Sequence, residues 1–516
     1  MSRTKKEDFT PSGDWTIGEL EAKLIEVEVD LENGLRSFTI VGLPDEAVKE
    51  SKERVSAALK NSGFKPPNQF NKRVTINLAP ADLKKQGPIF DVAIALGILI
   101  ATEQIKEDIS SCIFIGELSL DGRLRDVKGS ILISFLARQL GIKSLFLPNG
   151  NAKEASLNNE VDIYRASDLR ELTEKLKQKN QGNIKSYNAP EIEFNEQEKN
   201  FTLLDIEGQH LAKRALTISA SGGHNIFMVG PPGAGKSILA KALPEIMPNL
   251  SKEEYLEIIK ILSSNGILST LNISRPFVAP HHSASTASIL GGGNTMKPGQ
   301  ITLAHKGVLF FDELPEFRRD VLEALRQPLE DKKIQVTRAN YSITMPADFV
   351  FVCAANPCPC GFRDDEKEPC ICTMAELNRY NRKLSGPILD RMDIWIKVSR
   401  VKHKDIRKDI KNENSDKQII AKIREKVARV RKVQEKRLGK SRVNSSMTPR
   451  EIKYLCVLDN ESNGILQNAV DNLGVSMRGY HKIIKVARTI ADLEGEEKIL
   501  ANHIREALQY RKPANR

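Results

Sequence analysis

The stretch Gly230-Pro-Pro-Gly-Ala-Gly-Lys-Ser237 limits what this chain can fold into more than any other. The apolar run His224-Asn-Ile-Phe-Met-Val229 leads into it, and Ile238-Leu-Ala-Lys-Ala-Leu243 has helical spacing after it. A strand entering a glycine-rich turn that opens a helix aims several backbone N–H groups at one point, where the helix N-terminus adds partial positive charge. Such a turn binds phosphate. Gly230, Gly233 and Gly235 let the backbone approach phosphate oxygens, Lys236 can reach the β- and γ-phosphates, and the Ser237 hydroxyl suits Mg²⁺. Gly230, Pro231, Pro232, Gly233, Ala234, Gly235, Lys236, Ser237 and Ile238 are therefore expected to form a site for ATP.

A second signature follows 75 residues after Ser237, where Gly307-Val-Leu-Phe-Phe runs into Asp312-Glu313. Consecutive apolar residues suit a strand buried on both faces of a parallel sheet, and ligands sit at the C-terminal ends of such strands. Asp312 is expected to orient the Mg²⁺ shell and Glu313 to polarise the attacking water. A third apolar run, Asp348-Phe-Val-Phe-Val-Cys-Ala-Ala355, ends in Asn356. That amide either positions the same water or caps the turn before Pro357.

At 516 residues and 40% hydrophobic content the chain can support about three domains. The first residues, Met-Ser-Arg-Thr-Lys-Lys-Glu-Asp, lack the apolar core of a secretory signal, and the longest apolar run, Val92 to Ala101, is too short to span a bilayer. A cytoplasmic protein with no membrane partner is the expectation. Residues 401–450 hold 17 Lys or Arg against 6 Asp or Glu, an excess equal to the chain's whole net charge of +11. An apolar stripe, Ile419, Ile423, Val427 and Val430, makes this either the solvated face of a helix or a nucleic-acid contact.

Residues 1–174 read as mixed α/β. Lys23-Leu-Ile-Glu-Val-Glu-Val-Asp alternates as a half-buried strand, with Ser37-Phe-Thr-Ile-Val41 as its expected partner. Asp45 to Ser62 has helical spacing, Arg73 to Leu78 reads as a strand, Phe90 to Thr102 as a buried helix, and Asp121-Gly122 as a hairpin turn. Residues 175–200, rich in Lys, Gln, Asn and Glu, read as a linker. Residues 201–400 would then form the nucleotide-binding core and 401–516 a basic helical domain.

Seven cysteines in a chain without an export signal do not suggest a disulfide framework. Cys358, Cys360, Cys370 and Cys372 form two C-x-C pairs within 15 residues. Such thiolates suit a closed, structural Zn²⁺ site, with free thiols or one redox pair as alternatives. The paired His281 and His282 suit core packing or nucleotide-proximal hydrogen bonding better than metal binding.

Further segments resemble known families. Asn77-Leu-Ala-Pro-Ala-Asp-Leu-Lys-Lys-Gln-Gly-Pro-Ile-Phe-Asp-Val and Gly116-Glu-Leu-Ser-Leu-Asp-Gly-Arg-Leu resemble the Lon-protease-like domain, of ribosomal protein S5 domain 2-like fold. A peptidase dyad needs Ser after Gly87-Pro88 and Lys near Leu132, where Ile89 and Ile131 stand instead, so no peptidase activity is expected. Arg275-Pro-Phe-Val-Ala-Pro-His-His-Ser-Ala-Ser and Gly291-Gly-Gly-Asn-Thr-Met-Lys-Pro-Gly-Gln-Ile resemble the helix-2-insert branch of AAA+ proteins. Arg319 to Leu329 reads as a helix, and the alternating residues 331–344 resemble the pre-sensor-1 hairpin. In such loops Lys297, Lys332, Lys333 and Arg338 either track phosphates in a ring channel or are merely exposed.

Gly307 through Arg391, with Ser476-Met-Arg-Gly-Tyr-His-Lys-Ile-Ile-Lys-Val, resemble the ComM (YifB) family of magnesium-chelatase-like AAA+ ATPases over nearly the whole chain. The resemblance implies an α/β protein with an N-terminal Lon-protease-like domain, a central AAA+ core on a parallel sheet and a C-terminal helical lid. It implies that Asn356 is sensor 1, Arg391 in Ser385-Gly-Pro-Ile-Leu-Asp-Arg the arginine finger (with Arg379 and Arg382 as rivals), and Arg478 a sensor-2 residue near the nucleotide. It further implies a homo-oligomer, by family a hexamer, that uses ATP and Mg²⁺ to move along single-stranded or branched DNA and promote branch migration. A chelatase-type motor that remodels a metal-insertion partner is the alternative.

Overall fold

A computed structural model describes residues 12–15, 22–83, 85, 87–188, 203, 206–292, 297–338, 341–363, 365, 367–384, 386–400, 413–473 and 475–511. Contacts divide the chain into two compact units. One comprises residues up to 194 with Tyr255–Ile273 and Thr337–Thr344, and the other comprises the remainder. This differs from the three expected domains, 1–174, 201–400 and 401–516 with a linker at 175–200, because the last two form one unit. Ser263 donates to Glu154 and Lys260 lies 3.7 Å over the Phe135 ring, so the 255–273 segment packs with the first unit.

The first unit contains strands β1 (Ser12–Trp15), β2 (Ala22–Asn33), β3 (Ser37–Val41) and β4 (Lys72–Ala79) in the order β1-β2-β4-β3. β3 pairs with β4 in parallel, not with β2 as the sequence suggested. Two alternating runs separated by a short loop can form a hairpin, but here helix α1 (Glu46–Asn61) carries the chain across so that β4 separates the two strands. Asp45 caps α1 through its Oδ1, which accepts from Val48 N at 2.8 Å. Helix α2 (Asp91–Ala101) is apolar on every side and is buried along its length to Ile100. The Asp121-Gly122 turn joins paired residues Glu117–Leu118 and Leu124–Arg125, as expected. Ile89 and Ile131, at the positions a peptidase dyad would need, are core residues. Helix α3 (Leu169–Asn180) runs into the expected linker, and Ile184 and Tyr187 beyond it pack against the same core. The rest of that linker, 189–200, lies outside the described residues.

The second unit is built on a five-stranded, all-parallel sheet. Its strands are β5 (Ile226–Val229), β6 (Phe277–Val278), β7 (Val308–Phe311), β8 (Val350–Ala355) and β9 (Ile394–Lys397), in the order β6-β7-β8-β5-β9. Leu309, Phe311, Phe351 and Val352 are fully buried, and each such side chain contributes about 1.5–3 kcal/mol. Burial on both faces explains the unbroken apolar runs. The helix expected over Arg319 to Leu329 is two helices, Arg319–Ala324 and Arg326–Asp331. Pro328 has no N–H to give to the Ala324 carbonyl, so the ladder breaks there. Long helix α4 (Glu413–Leu438) and helix α5 (Met477–Glu494) form much of the C-terminal helical region. α5 starts where the sequence placed it, with Ser476 Oγ accepting from Gly479 N at 3.2 Å. No helix among the described residues is long and apolar enough to cross a membrane.

Candidate nucleotide site and its flanking clusters

The loop after β5 opens the helix Lys236–Ile246 through Gly233 and Gly235, both at positive φ, with open space where a Cβ would stand. Gly230 is required for a different reason from the one expected. A Cβ there would meet the Val398 carbonyl oxygen at 2.1 Å, so close strand packing excludes it. Pro232 to Ile238 line a cavity of about 410 Å³ with Asp312, Glu313, Ala355 and Asn356. Gly230 and Pro231 do not line it. Their carbonyls, at 2.7 and 3.0 Å, accept from Lys236 Nζ, which also donates to Asn356 Oδ1 at 3.1 Å. Burial lowers the Lys236 pKa below the usual lysine value.

Parallel pairing of β5 with β8 and of β8 with β7 brings their C-terminal ends to one edge, where the acidic pair and the amide meet the loop. Ser237 Oγ donates to Asp312 Oδ2 at 2.6 Å, so two hard oxygen ligands face each other, a donor set that fits Mg²⁺. Glu313 adopts φ 51°, in the left-handed region, and its own N–H donates to Asp312 Oδ1 at 3.0 Å. The His282 ring nitrogen lies 3.8 Å from the Glu313 carboxylate, and the His281 and His282 rings are 4.1 Å apart. His281 is exposed and His282 lies beside the acidic pair, so neither ring is packed in the core. Tyr380 donates to the Asn356 carbonyl at 2.8 Å, a contact without any signal in the sequence.

The four clustered cysteines have their sulfurs within 4.8 Å of one another. Separations of 3.3, 3.6 and 3.7 Å are near the roughly 3.8 Å between sulfurs in a tetrahedral site with metal–sulfur bonds of about 2.3 Å. Backbone N–H groups of Cys360 and Arg363 each donate to a cysteine sulfur at 3.3 Å. The four cysteines are thus placed to hold one metal ion. Their loop abuts the phosphate loop, since a Cβ on Gly361 would stand 2.6 Å from Pro232 Cδ.

Arg391 and Arg478 are not at this edge. They line a cavity of about 570 Å³ together with Asn225, Gly307, Val350 and Asp393, residues at the N-terminal ends of the same strands. A four-residue strand is about 13 Å long, so these guanidinium groups stand across the sheet from their own phosphate loop. Arg478 is exposed and does not line the cavity at the phosphate loop of its own chain. Arg391 Nη2 donates to Glu330 at 2.6 Å and Nη1 to the Pro387 carbonyl at 2.7 Å. Arg379, by contrast, lines a cavity of about 390 Å³ with Glu313 and Asn356, while Arg382 is exposed and lines neither.

The buried stripe of α4 is Ile420, Val427, Val430 and Leu438, and Ile419 is 42% exposed. Arg424 and Arg431 donate to the carbonyls of Glu245 and Ala220, and Arg437 pairs with Asp492. These cations hold the helix down. Lys422, Lys426, Arg429, Lys432 and Lys436 remain on its exposed face, while 401–412 lie outside the described residues. Lys332 pairs with Asp348 at 2.8 Å, whereas Lys297 and Lys333 are exposed. The Arg338 side chain lies outside the described residues.

Gathering a phosphate loop, an acidic pair and a strand-tip amide at one edge of a parallel sheet, with a helical region following in the chain, is the arrangement of an AAA+ nucleotide-binding protein. Comparison with known families agrees. Residues 202–406 match the family "Magnesium chelatase, subunit ChlI", 27–151 match "Subunit ChlI of Mg-chelatase", and 417–511 match "Magnesium chelatase, subunit ChlI C-terminal". The chain is 42% identical over 498 residues to the competence protein ComM of Haemophilus influenzae, covering 95% of each. It is 38% identical over 505 residues to YifB of Salmonella typhimurium, again covering 95% of each. A shorter match, 27% identical over 147 residues, is to Lon protease 2 of Bacillus subtilis, in keeping with the Lon-like domain. The chain belongs to the ComM/YifB family of magnesium-chelatase-like AAA+ proteins.

Proposed function

We propose that this protein is an ATP-hydrolysing, ring-forming motor that acts on single-stranded or branched DNA and drives branch migration while incoming DNA is integrated. The observation that carries the ring is the position of Arg391 across the sheet from its own Glu313. A cation that cannot reach its own nucleotide completes a site by meeting the next subunit's, head to tail, which needs a heterologous, closed interface. Arg379, beside its own Glu313, does not have that geometry. Six subunits follow from family likeness.

In this reading Pro232 to Ile238 hold the phosphates, Glu313 accepts a proton from the attacking water, and Asn356 orients that water. Mg²⁺ held by Ser237 and Asp312 would offset charge on the β- and γ-phosphate oxygens. Arg391 and Arg478 of the neighbouring subunit oppose the negative charge developing on the γ-phosphate. The DNA assignment draws on the 42% identity to a competence protein and on the exposed lysines and arginine of α4. ATP turnover measured with and without single-stranded, duplex and three- or four-stranded DNA tests it, with Glu313→Gln as control. Stimulation by DNA is the expected result.

The family models favour a second reading, a chelatase-type motor that remodels a metal-insertion partner. Such a motor has no reason to respond to DNA, so turnover indifferent to every DNA tested would move the assignment there.

For the cysteine cluster we infer structural Zn²⁺. Metal analysis of the purified protein is expected to find about one zinc per chain, as a four-thiolate site requires. Cys360→Ser should lose it. Because the cysteine loop touches Pro232, that loss should also weaken nucleotide binding. A metal-free parent with full nucleotide affinity would sink the assignment.

A further inference from the structure

The turn that carries Arg391 and the helix that carries Arg478 are joined by one lysine. Lys482 lies one turn along α5 from Arg478, and its side chain is 16% exposed. Its Nζ donates to the carbonyl oxygens of Asp390 and Met392, the residues on either side of Arg391, the second at 3.1 Å. The same Nζ lies 3.6 Å from Asp393 Oδ1.

Asp393 is held in turn from its far side. Its Oδ2 accepts from Asn225 N at 3.0 Å and lies 3.7 Å from His224 Nδ1. The other His224 ring nitrogen is 2.8 Å from Thr489 Oγ1, which brings the chain of contacts back to α5. Burial alone would raise the Asp393 pKa, but the Lys482 charge holds it below the usual carboxylate range.

A nearly buried ion pair is weak evidence for stability, because desolvation offsets most of the attraction. What Lys482 does supply is geometry: a donor to the backbone on both sides of the arginine, fixed to the helix bearing the second arginine. We propose that Lys482 is a positioning residue, which sets Arg391 and Arg478 as one cationic unit for the γ-phosphate bound by a second copy of this chain. The proposal rests on the reading of Arg391 as acting between subunits.

Lys482→Met keeps the length of the stem and removes the donors and the charge. With ATP and DNA present, kcat is expected to fall about 10- to 100-fold, the cost of misplacing a catalytic group by about 1 Å. KM for ATP should stay within about two-fold, because the phosphate loop is untouched. If Lys482 acts through these arginines, Lys482→Met costs less in an Arg391→Ala background than in the parent, because only the placing of Arg478 is left to lose.

Mixing supplies a readout that a simple folding role would not move. Lys482→Met subunits mixed with Lys236→Ala subunits should regain turnover, since intact phosphate loops then meet intact arginine turns. The mixing is done with a variant whose circular dichroism matches the parent. Should Lys482→Met fail that criterion, Lys482→Leu, which also lacks the donors and the charge, is used instead. Unchanged kcat, multiplied losses in the double variant, or no regain on mixing would each overturn the proposal. An Arg391→Ala protein with parental turnover would instead remove the inter-subunit reading, and this inference with it.

Discussion

Arg391→Ala is expected to slow ATP turnover by about 10³- to 10⁵-fold, the effect of a fixed cation on charge developing in phosphoryl transfer. ATP binding should persist, because Lys236, Ser237 and the loop before them lie at the other edge of the sheet. In the free chain the guanidinium rests on Glu330, whose side chain is 53% exposed. A pair with so exposed a partner contributes at most about 1 kcal/mol, so the variant should melt near the parent temperature. Steady-state phosphate release and nucleotide binding, measured on the same preparation, separate the two effects. Arg379→Ala should lose much less. Parental turnover in Arg391→Ala, or a larger loss in Arg379→Ala, would reassign the finger.

The second large effect belongs to Glu313→Gln. The amide keeps the shape of the side chain and cannot take a proton from water, so turnover should fall about 10²- to 10⁴-fold, the contribution of a general base. Asp312 and Ser237 keep their 2.6 Å contact, so the variant should still bind ATP and hold it. A ring trapped with bound ATP is the form in which size and DNA occupancy are best measured. Full turnover by Glu313→Gln would mean that another group takes the proton, and His282, 3.8 Å from that carboxylate, would be the first to replace.

Much of the nucleotide edge was legible from sequence because it is built from contiguous residues with strong backbone demands. Gly233 and Gly235 stand at positive φ, which other residue types adopt rarely. The apolar strands before Asp312 and Asn356 have the extents that burial on both faces predicts. Errors arose where a neighbour distant in sequence decides. Ser37–Val41 pairs with β4 because the crossover helix inserts that strand between it and β2. Ile420 rather than Ile419 is buried because packing sets the rotation of α4, and a periodic stripe defines a face only to within about one residue. Gly230 answers to Val398, and Tyr380 and Lys482 answer to carbonyls 24 and about 90 residues away.

Sequence alone determined the local chemistry here: the loop suited to phosphate, the acidic pair, the four grouped thiols, and isoleucines at positions 89 and 131. Spacing along a single turn or strand controls those features, because backbone conformation there depends on residues close in the chain. Only the tertiary structure decided which groups share an edge. Parallel pairing of β7, β8, β5 and β9 puts Glu313 and Asn356, which follow their strands, at one end of the sheet and Arg391, which precedes its strand, at the other. That division depends on long-range packing of buried strands, which residue spacing does not encode.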